Sequence, residues 1–236
     1  MLQRFCYYTT LVSYGLGMLP AYFTGFLFSK SACHRVAKRC LAVLDWLFVR
    51  SQHIELAPLT KQNYIFVANH QCFIDAWTLR ILYKYPILMV AIDYARKVPI
   101  IGRVLVFCDT SFKTLKKEFE PEGTTENIIG KLKKDKSLSL FIFAEGGRQL
   151  DRVFNPNVRT GAFHIAKALN YDIIPIYQTY GSILSDKDQA YYARFYGKVR
   201  IMTGYPISVQ DKTVDQIKAE YLCQMNLLQI DISQFK

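Results

Sequence analysis

Residues 64–75 read Tyr-Ile-Phe-Val-Ala-Asn-His-Gln-Cys-Phe-Ile-Asp, and they decide both the fold class and the first candidate site. The apolar run at the start is typical of a buried strand, and a polar loop follows it. His70 and Asp75 are five residues apart, which puts them about 140° apart on a regular helix, so they do not share a helical face. They meet only if His70 lies in the loop and Asp75 begins the next helix. The Asp75 carboxylate then accepts the Nδ1 proton of His70 and leaves Nε2 as a general base. Taken alone, the same spacing is also typical of a packed histidine with Asp75 as a helix N-cap.

A second apolar run ends in polar residues at 138–148, which read Leu-Ser-Leu-Phe-Ile-Phe-Ala-Glu-Gly-Gly-Arg. Glu145, Gly146, Gly147 and Arg148 combine a carboxylate, flexible backbone N–H groups and a planar cation. That combination suits an anionic ligand. The alternative, from the residues alone, is an ordinary turn with a salt bridge between Glu145 and Arg148.

Short strand-like runs alternate with helical patterns after Arg50. The predicted strands are 63–68, 86–92, 104–109, 138–143, 173–177 and 199–203. The predicted helices are 75–84, 125–134, 160–169 and 214–228. This alternation predicts an α/β fold with a mixed central sheet flanked by helices and preceded by N-terminal membrane-associated helices. The polar stretch 113–126 is the longest predicted surface loop.

The first 50 residues carry a different pattern. Residues 5–29 contain no charged side chain, and at about 1.5 Å per residue a helix of that length crosses a bilayer core. Pro20 and the neighbouring glycines allow a kink or a turn back within one leaflet, so spanning and re-entrant forms both stay open. Residues 40–49 are too short to span, which predicts an amphipathic helix at the membrane surface. We therefore expect membrane-anchoring helices over 1–50 and a second domain over 51–236. The alternative is two core helices of a soluble protein.

The charge of the chain indicates an anionic partner. Its 236 residues include 30 Lys and Arg against 19 Asp and Glu, for a formal net charge of +11. In residues 1–50 the basic side chains flank apolar runs, which favours a membrane surface over nucleic acid. The basic cluster at 30–39 outweighs Arg4, so the positive-inside tendency places the rest of the chain on the cytosolic side.

The six cysteines form no CxxC pair and no metal-ligand spacing, which predicts thiols, no disulfide and no bound metal.

Together these stretches have the order and spacing of a known family. Residues 64–75, 138–148 and the run Ile173-Ile174-Pro175-Ile176 resemble the NHxSxxD, FPEGTR and VPV-like boxes of the glycerolipid acyltransferases. This PlsC-like family includes 1-acylglycerol-3-phosphate acyltransferases and other lysophospholipid acyltransferases. The resemblance covers residues 60–180 and the N-terminal arrangement. It implies that the domain over 51–236 is the acyltransferase catalytic domain, that His70 deprotonates an acceptor hydroxyl, and that Asp75 orients His70.

The resemblance also implies roles for residues around this pair. Asn69 supports the His70 loop, and the residues that surround the polar head of the acceptor are Glu145, Gly146, Gly147 and Arg148. Pro175 belongs to the box linked to the acyl donor. Arg159 opens a segment, Arg-Thr-Gly-Ala, that leads into a helix, where it is placed to contact a coenzyme A phosphate.

The chain departs from the family pattern in two ways. Three replacements leave the His–Asp pair intact, namely Cys72 for Ser, Ala144 for Pro and Gly147 for Thr. The family also has a GxxFIxR-like box, whose approach Pro99-Ile100-Ile101-Gly102 resembles. There Thr110 stands where the family has a phosphate-binding Arg, and Lys113 or Arg103 is the candidate replacement. Because Lys lacks the bidentate fork of Arg, this change gives weight to acceptors other than a phosphomonoester.

The resemblance implies transfer of a fatty acyl group from acyl-CoA to the free hydroxyl of a lysophospholipid, with lysophosphatidic acid as the leading acceptor and phosphatidic acid as the product. We expect a membrane enzyme of phospholipid biosynthesis whose partners are membrane lipids and its two substrates, with no nucleic acid and no cofactor beyond acyl-CoA. Its oligomeric state stays open. Two alternatives remain, namely a tafazzin-like transacylase that needs no coenzyme A and a non-catalytic membrane-surface protein on the same fold.

Overall fold

The structure is a computed structural model that describes residues 15–44, 46, 51–71, 75, 82, 85–108, 110–113, 125–147, 149, 154–179 and 199–234. Its centre is one sheet with the strand order β1-β7-β6-β2-β5-β3-β4. The strands are β1 (Gln52–Glu55), β2 (Ile65–Ala68), β3 (Ile87–Ile92), β4 (Ser111–Lys113), β5 (Ser139–Phe143), β6 (Ile173–Thr179) and β7 (Arg200–Thr203).

The sheet is mixed, as the sequence predicts. Strands β6, β2, β5, β3 and β4 run parallel to one another, whereas β7 is antiparallel to β6 and carries β1 in parallel at the edge. The carboxyl ends of the five parallel strands therefore meet at one edge of the sheet, which is where ligands bind in open α/β sheets. Both candidate sites found in the sequence follow strands that end at this edge.

Helices cover both faces of the sheet. They are α1 (Leu19–Leu27), α2 (Lys30–Leu44), α3 (Ile101–Phe107), α4 (Thr125–Lys134), α5 (Gly161–Leu169) and α6 (Val214–Gln234). Successive strand residues point to opposite faces, so Phe66 and Ala68 pack with α1, α2 and α3, whereas Ile65 and Val67 pack with α4, α5 and α6. Because β2 is buried on both faces, it reads as a continuous apolar run rather than an alternating one.

The first two helices of the described residues, α1 and α2, form a hairpin that packs on the sheet domain. Pro20 lies in the first turn of α1, where its missing N–H costs no helical hydrogen bond. The chain turns after Phe28, and the Ser29 hydroxyl accepts a hydrogen bond from the Ala32 N–H at 3.2 Å as α2 begins. The side of α2 that faces the core carries Cys33, Ala37, Leu41 and Leu44.

Helix α1 of this hairpin lies within the membrane segment that the sequence predicts over 5–29. The described part of residues 5–29 begins at Gly15, and its helix α1 ends at Leu27. Among the residues that the structure describes, no helix has the length and apolar character that a bilayer crossing requires. The helix expected over 40–49 is, in its described part, the end of α2. The domain division at residue 50 stays a prediction.

The prediction of a strand over 104–109 is wrong. This run forms most of α3, and the strand follows it as β4. A short apolar run has no periodicity that distinguishes a buried strand from a buried helix. Here the helical turn points Val104 and Val106 to different sides, so Val104 is buried and Val106 is exposed. The sequence also did not predict β1, because this polar strand lacks an alternating pattern. The predicted helix 75–84 and the predicted loop 113–126 lie mostly outside the described residues.

We expect Gly102→Ala to destabilise the protein. A Cβ atom at Gly102 meets the backbone carbonyl oxygens of Arg96 and Ala95, the latter at 2.8 Å, and backbone atoms do not give way. The free energy of unfolding should fall by about 1–3 kcal/mol, measured by denaturant unfolding.

Gly130→Ala is the matched control, because a Cβ atom at this exposed position of α4 meets nothing within 4 Å. This variant should gain about 0.5–1 kcal/mol, since Ala is the better helix former. Equal effects of the two substitutions would contradict the packing of α3 on the turn that precedes it.

Candidate active site

The first site is a histidine–aspartate pair at the carboxyl edge of the sheet. Asp75 is 1% exposed, and its Oδ2 accepts hydrogen bonds from the His70 Nδ1 at 2.5 Å and from the Gln71 backbone N–H at 2.7 Å. A carboxylate only accepts, so the proton lies on Nδ1 and the lone pair of Nε2 is left for chemistry. The His70 side chain is 23% exposed, which keeps the imidazole open to an incoming substrate.

The loop that carries His70 is fixed to β6 by a buried amide pair. The Asn69 Nδ2 donates to the Gln178 carbonyl at 2.9 Å, the Gln178 N–H donates to the Asn69 Oδ1 at 2.8 Å, and the Gln178 Nε2 donates to the Asn69 carbonyl at 2.7 Å. Both side chains are fully buried. The pair continues the ladder between β2 and β6 beyond the last residue of β2.

Sequence reasoning missed Gln178. Its only local signal is a polar side chain that directly follows the apolar run 173–177, and such a residue at the end of a buried strand must find a partner. The partner could not be read from the sequence, because Asn69 lies 109 positions earlier in the chain.

The second site lies directly beside the first. In the register of the parallel strands, Ala68 of β2 is level with Phe143 of β5, so His70 and Glu145 follow side by side. The Glu145 Oε2 accepts a hydrogen bond from the His70 backbone N–H at 3.3 Å, and the His70 carbonyl accepts one from the Gln149 N–H at 2.7 Å. The Phe143 ring stacks on the imidazole of His70 with centroids 4.2 Å apart. These contacts fix the orientation of the imidazole.

Arg159 packs on the loop that follows β5. Its backbone N–H donates to the Ala144 carbonyl at 2.8 Å, and its guanidinium lies against the Cα of Gly146. Gly146 has a φ of 69°, in the region that favours glycine. The structure therefore brings a cation to the Glu145–Gly147 loop from the segment in which sequence reasoning placed a coenzyme A contact.

Two buried tyrosines interact electrostatically with the Glu145 carboxylate. Burial first, and then the negative charge of Glu145, raise the pKa of Tyr177 to about 12. The same two causes raise the pKa of Tyr221, which is fully buried, well above its usual value. Both phenols therefore stay neutral at physiological pH. Within the described residues, no group of three or more His, Cys, Asp or Glu side chains is placed to hold a metal ion.

The remaining site candidates are placed as follows. Lys113 ends β4, so its backbone lies at the same sheet edge as His70, whereas Thr110 is buried before the strand begins. Arg103 is exposed in the first turn of α3. Pro175 is buried in the middle of β6, level with Val67, and does not lie at the edge. Arg148 lies outside the described residues.

The fold and the site define an α/β protein with a histidine–aspartate pair at the carboxyl edge of its sheet, and a model of the acyltransferase family matches residues 48–179. The chain belongs to this acyltransferase family.

Two curated relatives agree with this assignment, and a solved structure has the same fold. The chain is 26% identical over 231 residues to the 1-acyl-sn-glycerol-3-phosphate acyltransferase of Saccharomyces cerevisiae, an alignment that covers 92% of this chain and 74% of the yeast protein. It is 29% identical over 114 residues to the Escherichia coli protein of the same name, covering 48% of this chain and 46% of that relative. The crystal structure of the acyltransferase PlsC from Thermotoga maritima matches with a TM-score of 0.70 at 16% identity, and the match covers 97% of both chains.

Gly146→Ala should destabilise the fold more than Gly147→Ala. A Cβ atom at Gly146 meets the guanidinium of Arg159, with Cζ at 2.8 Å, and an alanine is strained at this positive φ. We expect thermal unfolding to shift down by several degrees, which corresponds to a loss of about 1–3 kcal/mol.

Gly147→Ala is the control one residue further on, where a Cβ atom meets nothing within 4 Å. Its melting temperature should stay close to that of the parent protein. A Gly146→Ala variant as stable as the Gly147→Ala variant would mean that the loop does not hold residue 146 at a positive φ.

Proposed function

We propose that this chain transfers a fatty acyl group from acyl-CoA to the free hydroxyl of 1-acyl-sn-glycerol-3-phosphate and so makes phosphatidic acid. The observation that carries the proposal is the Nδ1–Oδ2 hydrogen bond of His70 and Asp75, which in the neutral imidazole leaves the lone pair on Nε2 at the carboxyl edge of the sheet. The relatives that match the chain are named for this reaction.

The reaction needs a base and no covalent enzyme intermediate. The His70 Nε2 takes the proton of the acceptor hydroxyl as the hydroxyl oxygen attacks the thioester carbonyl. The carbon–sulfur bond then breaks, and the departing coenzyme A thiolate takes the proton back from the imidazole. Asp75 stabilises the transient imidazolium and keeps the ring in place.

We assign the anionic parts of the two substrates to two basic residues, Arg159 and Lys113. Arg159 lies over Gly146, one residue from Glu145, on the side of the His70 loop that faces β5. Lys113 ends β4, which is three strands from β2, and at about 4.8 Å per strand this separation is about 14 Å between the backbones. A glycerol phosphate together with the side chains of His70 and Lys113 spans such a distance. We assign the acceptor phosphate to Lys113 and a coenzyme A phosphate to Arg159.

His70→Ala should lower kcat by about 10²–10⁴-fold, because the reaction loses its general base. The measurement is acyl transfer from labelled acyl-CoA to a panel of lysophospholipids, with purified full-length protein in detergent. His164→Ala is the control, since this histidine is exposed on α5, and it should keep full activity.

The panel also tests the acceptor and the donor. Lys113→Ala should raise the KM for lysophosphatidic acid with a smaller effect on kcat, because it removes a phosphate contact. Preference for an acceptor without a phosphomonoester would contradict the assignment of Lys113. Transfer that proceeds without any acyl-CoA would favour the transacylase, and a parent protein without activity would favour the non-catalytic alternative.

We further propose that the α1–α2 hairpin lies on a membrane surface and presents the site to lipid substrates from the cytosolic side. The outer side of α1 and the turn after it expose Phe23, Phe26, Leu27 and Phe28, the last of which is 78% exposed. Arg35 and Arg39 are exposed on α2, one helical turn apart. Apolar side chains beside basic ones are the combination that binds anionic lipid surfaces.

The double variant Phe26→Ser/Phe28→Ser should bind vesicles about tenfold more weakly or worse, because two exposed aromatic side chains no longer enter the interface. Flotation with phosphatidylcholine vesicles containing phosphatidic acid measures the bound fraction.

Leu227→Ser/Ile230→Ser is the matched control, with both side chains 55% exposed on α6. It should bind like the parent protein. Equal loss in both double variants would point to general surface hydrophobicity, and unchanged binding in the α1 variant would remove the hairpin from the membrane contact.

A further inference from the structure

Two thiols meet where the N-terminal hairpin packs on α3. Cys33 on α2 and Cys108, which directly follows α3, have Sγ atoms 4.0 Å apart although 75 positions separate them in the sequence. Cys33 is fully buried, and Cys108 is partly exposed. The proposed acyl transfer uses neither side chain.

The backbone around the two sulfur atoms is closely packed. Gly25 of α1 approaches so closely that a Cβ atom there meets the Cys33 Sγ at 3.0 Å and the Phe107 ring at 2.5 Å. The thiols therefore lie at the junction of three helices, all of which share one hydrophobic cluster with the sheet. A disulfide bond needs the two sulfur atoms to approach by about 2 Å.

The surroundings of the pair favour the reactive thiolate form. The contact with Cys108 lowers the pKa of the Cys33 thiol, in opposition to the effect of burial. Lys38, five residues after Cys33 on α2, interacts electrostatically with Cys108. Burial lowers the pKa of Lys38 to about 8, and below that pH its side chain carries a positive charge. A neighbouring cation stabilises a thiolate, and the thiolate is the nucleophile in thiol–disulfide exchange.

We propose that Cys33 and Cys108 are a site of reversible oxidation by small disulfides such as oxidised glutathione. The accessible Cys108 thiolate attacks one sulfur of the oxidant and releases the first glutathione thiolate. The Cys33 thiolate then attacks the Cys108 sulfur of this mixed disulfide, forms the Cys33–Cys108 bond and releases the second glutathione. Two protein thiols are oxidised, one glutathione disulfide is reduced to two thiols, and these take up the protons.

The bond would connect two parts of the molecule that the chain itself joins only through a long segment. It ties α2 to the end of α3, which leads within three residues into β4. Closing a loop of this length restricts the unfolded chain and so stabilises the folded protein. The oxidised protein should therefore resist unfolding more than the reduced protein.

The test equilibrates full-length protein in detergent with oxidised glutathione, alkylates the remaining thiols and maps the cysteine peptides by mass spectrometry. We expect a Cys33–Cys108 peptide as the dominant linkage, a loss of two hydrogen atoms in the intact mass and a melting temperature several degrees higher. Dithiothreitol should reverse all three changes.

Three variants separate this pair from other cysteines. Cys108→Ser should abolish the linkage, and Cys33→Ala should leave Cys108 as a glutathione adduct that is not resolved. Cys40→Ser, on the same helix as Cys33, should keep the linkage and the rise in melting temperature. Alkylation of both thiols in the parent protein, a persistent glutathione adduct on Cys108, or a dominant linkage to another cysteine would each overturn the proposal. None of these measurements depends on acyl transfer.

Discussion

The buried carboxylate of Asp75 is the constraint around which the site is organised. A carboxylate in the protein interior is costly unless hydrogen-bond donors surround it, and here the donors are the His70 imidazole and the Gln71 N–H. The loop must therefore hold one shape for the fold to be stable. That same shape sets the tautomer of His70 and leaves Nε2 open, so the requirement for stability coincides with the requirement of the proposed catalysis.

Three neighbouring parallel strands supply the groups that hold this loop. Strand β2 ends in the loop itself, β5 leads into Glu145, and β6 carries Gln178. Each group reaches the His70 loop because the strand register makes their ends level at one edge. A slip of one residue in any of these strands would turn its side chains to the other face of the sheet and separate the groups.

The N-terminal hairpin buries one side against the sheet and exposes large apolar side chains on the other. Its inner side, with Ala37 and Leu41, packs on the same sheet face as Phe66, while the opposite side of α1 leaves Phe26 exposed. A helix that buries one stripe and exposes large apolar side chains on the other is suited to lie between a folded core and a lipid surface. Because the hairpin also packs on α3, which leads into β4, its position is mechanically connected to the strand that ends in Lys113.

The sequence by itself determined the features that depend on neighbouring residues. The apolar runs gave five of the predicted strands, the five-residue spacing excluded a helical face shared by His70 and Asp75, and the boxes at 64–75 and 138–148 indicated the acyltransferase family. Only the tertiary structure decided that 104–107 belongs to a helix, since a short apolar run fits a helix and a strand equally well. It also decided that Gln178 supports Asn69, that Arg159 covers Gly146 and that Cys33 meets Cys108. Each of these contacts joins distant parts of the chain, and the order of strands and the packing of helices that create them are properties of the whole fold.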